Sequence, residues 1–127
     1  MIGKNINFKL VSLNVRGIRY FKRRKAVLNW LHKSQADICF LQETYSTPEV
    51  VNTWKKQWKA RRYLFLSHGS SHSKGTMILV KEQFDFQLIS SKTDSLGRYI
   101  FLEVEIQDSS FVLLSIYAPN KLSLIHI

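Results

Sequence analysis

The sequence predicts an α/β layer fold, and three observations predict it. Apolar runs of strand length alternate with amphipathic helical stretches over the first half of the chain. The second half changes to a two-residue period typical of half-buried strands. An apolar fraction of 45% with 13% aromatic residues is enough to fill one packed core.

A first strand is expected over about residues 7–14, ending Leu10-Val11-Ser12-Leu13-Asn14. After Val15-Arg16-Gly17 the spacing predicts a helix over roughly 20–34. Val27, Trp30 and Leu31 fall at i, i+3 and i+4 there, with Tyr20 one heptad earlier, while Arg23, Arg24 and Lys33 take other faces. Ala36 to Leu41 is apolar on both faces, as an interior strand covered by helices would be. Pro48, a favoured residue in a first helical turn, opens a second helix near 48–59.

Tyr63 to Leu66 reads as a short strand, followed by a polar loop from Ser67 to Lys74. His68 and His72 belong to that loop and are read as loop residues rather than ligands. Thr76 to Val80 is another strand, and Phe84 to Ser90 a weaker one. From Tyr99 to Ile106 the alternation is cleanest: Ile100, Leu102, Val104 and Ile106 line one face. Phe111 to Tyr117 is the last strand, ended by Pro119.

Charge narrows the partners. Nineteen Lys and Arg against nine Asp and Glu leave +10, and Asp37 is the first acid in the chain. A second basic cluster comprises Lys55, Lys56, Lys59, Arg61 and Arg62. Such asymmetry favours a polyanion, nucleic acid ahead of a membrane surface, over a merely solvated helix face. One cysteine excludes an internal disulfide framework and a cysteine zinc site, and Cys39 in its apolar run reads as core. The first residues lack the apolar stretch of a secretory signal, so an intracellular protein is expected.

Two polar residues stand at the ends of apolar strands: Asn14 and, after Gln42, Glu43. Ligands of open α/β sheets collect outside the carboxyl ends of the strands. A carboxylate there suits Mg²⁺, which takes one or two protein carboxylates and leaves its other positions to phosphate and water. Ordinary alternatives exist for both: Asn14 as cap of the following helix, Glu43 as a solvated turn residue. Tyr117 has one too, as a strand aromatic with its hydroxyl at the surface.

Three blocks carry a resemblance to the endonuclease/exonuclease/phosphatase family. They are Ser12-Leu13-Asn14-Val15-Arg16-Gly17-Ile18, Leu41-Gln42-Glu43-Thr44 and Ile116-Tyr117-Ala118-Pro119-Asn120. Lys22-Arg23-Arg24, Lys74 to Val80 and Gly97-Arg98-Tyr99-Ile100 resemble words of the endonuclease domain of retrotransposons without long terminal repeats. The likeness covers residues 7–120, leaving 1–6 as a tail and 121–127 as a segment unlike the family.

The resemblance implies the N-terminal half of a four-layer α/β sandwich, a mixed sheet flanked by helices with its second sheet largely missing. It implies a nuclear enzyme that cuts DNA phosphodiester bonds with Mg²⁺, or Mn²⁺ in its place. By position, Glu43 and Asn14 resemble the metal and phosphate ligands, and Tyr117 the active-site tyrosine. Arg16, Arg19, Lys22, Arg23, Arg24, Arg98 and Asn120 are the expected nucleic-acid contacts, Arg98 with a plain turn role as its alternative.

The family's later Gly-Asp-x-Asn and Asp-His words have no counterpart after Asn120. A fragment is therefore expected, with little cleavage of its own, an uncovered apolar sheet face and a tendency to self-associate. Its native form would be fused to the rest of the nuclease and to a reverse transcriptase. Two other functions compete: a phosphatase of the same superfamily, and a non-catalytic nucleic-acid-binding remnant.

Overall fold

The run from Ile38 to Gln42 becomes an interior strand because both of its faces find cover. In the computed structural model, which describes residues 7–58 and 61–117, β1 (Leu10–Asn14), α1 (Phe21–Ser34) and β2 (Ile38–Gln42) form a parallel βαβ unit. A 3-10 turn at Pro48–Val50 leads into α2 (Val51–Gln57), then β3 (Arg61–Ser67) and β4 (Thr76–Lys81). These strands make one mixed sheet in the order β1-β2-β4-β3, with β4 antiparallel to both neighbours. A second sheet, β5 (Phe86–Thr93), β6 (Tyr99–Ile106) and β7 (Ser109–Ile116), is an antiparallel meander.

Alternation sorts the side chains of the first sheet into two cores. Cys39, Leu41, Met77 and Leu79 face the helices, where Leu28, Leu31, Trp54 and Trp58 close over them. Ile38, Phe40, Ile78 and Val80 face the second sheet and meet Ile100, Leu102, Val104 and Ile106. Burying side chains of this size stabilises by about 1.5–3 kcal/mol each. Cys39 is buried, as expected. No helix among the described residues is long and apolar enough to cross a membrane.

Two expectations need correction. The second sheet is present as three strands, and the apolar face expected to be uncovered is packed against it. Self-association loses that reason. The inward face of α1 is also rotated from the one the apolar spacing marks. Leu31 is buried, but the other buried positions are Arg24 and Leu28, while Tyr20 and Trp30 are exposed. A guanidinium wins the inward position because it finds acceptors there: the carbonyls of Ile18 and Arg19 and Oε1 of Gln57. The N-terminal and C-terminal segments, and with them Asn120, lie outside the described residues, as do Lys59 and the side chains of Arg61 and Arg62.

Candidate functional site

Parallel pairing of β1 with β2 sets Asn14 opposite Gln42, so Asn14 and Glu43 leave the sheet side by side. Their side chains meet, with Nδ2 of Asn14 donating to Oε2 of Glu43. Oδ1 of Asn14 accepts the backbone N–H of Arg16 at 3.0 Å, which fixes the amide's orientation, since only the oxygen can accept. Asn14 therefore serves no helix: the residue at the N-cap of α1 is Tyr20.

Hydrogen bonding continues past the strand ends as a ladder through the loops. Gly17 donates to the carbonyl of Glu43 at 2.6 Å, and Ile18 to that of Thr44. Thr44 and Tyr45 donate in turn to Gly75 and Lys74, and Gly75 donates to Gly97. Six residues of this ladder hold positive φ, three glycines together with Glu43, Tyr45 and Lys74, as does Arg16 beside it. For residues other than glycine that conformation costs on the order of 1–3 kcal/mol, and it clusters where function overrides comfort. Gly17 is obligatory: a Cβ there would stand 2.4 Å from the Tyr45 ring, at a φ of 85°.

The two sheets are tied at this same end. Thr76, the register partner of Gln42, donates its hydroxyl to the carbonyl of Leu41 at 3.0 Å and meets the hydroxyl of Ser115. Ser115 lies two residues before Tyr117, whose N–H donates to the carbonyl of Arg98 at 2.6 Å. The backbone of Tyr117 thus emerges at the end that carries Asn14 and Glu43.

Three acids occupy this region, and their partners separate them. Hydrogen bonds from the Arg98 guanidinium hold the Asp94 carboxyl below its ordinary range. A hydrogen bond from the Thr47 hydroxyl, with the Arg19 guanidinium 3.5 Å away, does the same for Glu49. Glu43 instead accepts from the side-chain amide of Asn14. Burial pushes His68 below the usual imidazole range, and its Nδ1 lies 3.0 Å from the Ser46 hydroxyl.

The basic residues expected to touch nucleic acid divide in the same way. Arg16 and Lys22 are exposed. Arg24 is only 4% exposed and faces inward, against expectation, because three protein acceptors and the Trp54 ring hold it. Arg23 donates to the carbonyl of Val15, and Arg19 to Tyr45 and Thr47, so both brace loops. Arg98 makes a two-pronged contact with Asp94, which is its turn role. Thr76 and Ser115 were expected as strand residues and not as part of the site. A hydroxyl interrupting an apolar strand run is the one signal that could have found Ser115.

Among the described residues no group of three or more His, Cys, Asp and Glu gathers as a ready-made metal cage. The carboxylate of Glu43 nonetheless suits a hard, largely hydrated cation, while Asn14 turns its Nδ2 toward that carboxylate and has as its one donor atom for a cation Oδ1, which already accepts from Arg16.

Comparison with known proteins follows the same lines. The sequence model of the Endonuclease/Exonuclease/phosphatase family matches residues 11–122. The chain is 32% identical over 109 residues to the transposon TX1 uncharacterized 149 kDa protein of Xenopus laevis, covering 86% of this chain and 8% of that one. It is 30% identical over 116 residues to an exodeoxyribonuclease of Bacillus subtilis (strain 168), covering 89% and 43% respectively. Among solved structures, TDP2 from C. elegans superposes with a TM-score of 0.66 at 21% identity, covering 89% of this chain and 37% of that one. This chain spans less than half the length of each.

Proposed function

Because the chain belongs to the endonuclease/exonuclease/phosphatase family, we propose that its Asn14–Glu43 end grips a DNA phosphodiester together with a divalent cation, as part of a retrotransposon-type endonuclease. One observation carries this reading: the direct contact of an amide and a carboxylate at the carboxyl ends of adjacent parallel strands. The similarity to a transposon protein and to an exodeoxyribonuclease supports DNA as the substrate class.

Glu43 would hold the cation, Mg²⁺ or Mn²⁺, with Asn14 beside it. When bound, such a cation offsets charge developing on a nonbridging phosphate oxygen. Asn14 Nδ2 has a second hydrogen with which to donate to phosphate, while Arg16 Nα holds the amide in place. Tyr117 would present its hydroxyl beside the scissile linkage, and Arg16 and Lys22 would meet flanking phosphates. Asn120 would join them. Slow cleavage by these residues alone is part of the proposal, because a site working without a water-orienting base loses on the order of 10²–10⁴ in rate.

Titration with Mn²⁺ followed by electron paramagnetic resonance tests the grip. Glu43→Gln keeps shape but removes the charge, and should weaken Mn²⁺ binding about tenfold or more. Equal Mn²⁺ affinity in both proteins would refute the assignment. A plasmid-nicking assay with Mg²⁺ tests the rate: rapid turnover, abolished by Glu43→Ala, would overturn the expectation of slow cleavage.

A further inference from the structure

The start of α1 presents a feature that the phosphodiester grip does not use. Tyr20 is 82% exposed and Phe21 59%, two large aromatic rings side by side in solvent. Arg19, the residue before them, is tied to Tyr45 and Thr47, so the pair stands beside the loops that follow Asn14 and Glu43. Arg16 and Lys22 lie exposed on either side in sequence, and no acid precedes Asp37. The Arg24 guanidinium sits 5.9 Å from the centre of the Phe21 ring, restraining a ring that is otherwise largely in water.

We propose that Tyr20 and Phe21 form a stacking platform for unpaired nucleobases of the strand whose phosphate lies at Asn14 and Glu43. The proposal rests on the phosphodiester reading above and adds a preference for single-stranded over paired DNA. Exposed aromatics among cations are the ordinary composition of a single-strand platform, in which rings take the base faces and cations the backbone. A nucleic acid is favoured over a protein partner by charge, because the rings stand in a stretch that carries only cations before Asp37. Paired bases are excluded by geometry, because their faces are already covered by their neighbours in the duplex.

The test compares a short fluorescein-labelled deoxyoligonucleotide with an abasic strand of the same length and charge, by anisotropy. Stacking contributes ~1–3 kcal/mol per base, so the base-bearing strand should bind roughly 5- to 150-fold tighter than the abasic one. Tyr20→Ala with Phe21→Ala should abolish that difference while leaving abasic binding and its salt dependence unchanged, and Tyr20→Trp should retain it. Equal binding of base-bearing and abasic strands by the unaltered chain overturns the platform and leaves the phosphodiester grip standing. Absence of binding to either strand overturns both. Duplex bound as tightly as single strand also overturns the platform. The comparison of strands needs no variant, so it holds even if the alanine pair folds poorly.

Discussion

Replacing Arg24 by methionine removes a buried cation while keeping most of its side-chain volume. The structure gives the guanidinium three contacts: Nε to Gln57 Oε1 at 2.5 Å, and Nη1 to the carbonyls of Ile18 and Arg19 at 3.0 and 2.7 Å. Its plane also lies over Trp54, 5.3 Å from the ring centre. Hydrogen bonds to charged groups are worth about 1.5–3 kcal/mol each. Part of that returns, because methionine is cheaper to bury than a guanidinium whose pKa is pulled down by burial and by the Arg19 charge. The acceptors stay, however. Two are backbone carbonyls that cannot be substituted away, and a buried polar group left without a partner costs about 1–3 kcal/mol. A net loss of about 3 kcal/mol follows. For a domain of this size that is a fall of roughly 10–15 °C in Tm. Thermal and urea melts by circular dichroism measure it, with Lys22→Met as the exposed neighbour that should change little. Arg24→Lys should recover only a small part, since an ammonium lacks the fork that reaches loop and helix together. A methionine variant melting within a few degrees of the parent would show that the loop does not depend on this residue.

Other outcomes can be set beside it. Gly17→Ala puts a methyl group into the Tyr45 ring at positive φ, and should cost about 2 kcal/mol or more in urea melts. Thr76→Val removes the hydroxyl that bonds Leu41 and Ser115, for a loss of about 1–3 kcal/mol. Combined with Ser115→Ala it should show non-additivity, because the two hydroxyls share a bond. His68 has a folded pKa below its unfolded one, so the folded state binds its proton less readily. Its contribution to stability is present above the unfolded pKa of about 6.5 and is lost as pH falls from there through the folded value. His68→Gln should flatten the pH dependence of Tm in that window, and an unchanged slope would remove the group from the account.

Much of the layering was legible because it is written in local periodicity. Ile100, Leu102, Val104 and Ile106 alternate without a break, and all four are buried. Ile38 to Leu41 is apolar on both faces and is covered on both. The pairing of Asn14 with Glu43 was readable for a similar reason: each follows a strand, and parallel register does the rest. What escaped is tertiary. Trp30 carries the apolar label of an inward residue, yet it points outward, while Arg24 carries a charge and lies inside. Only the positions of Ile18, Arg19 and Gln57 decide that exchange, and no window along α1 contains Gln57. Likewise, the strands of the second sheet were each visible, but nothing in their local patterns told which face they would cover.

The loop ladder from Gly17 through Glu43 and Thr44 to Gly75 and Gly97 is made by main-chain groups. Architecture of that kind is indifferent to most of the side chains it carries. Outside the glycines, the tied arginines, the Thr76–Ser115 tie and the Asn14–Glu43 pair, a side chain at this rim can change without breaking the ladder, so recognition there can be retuned while the scaffold beneath stands.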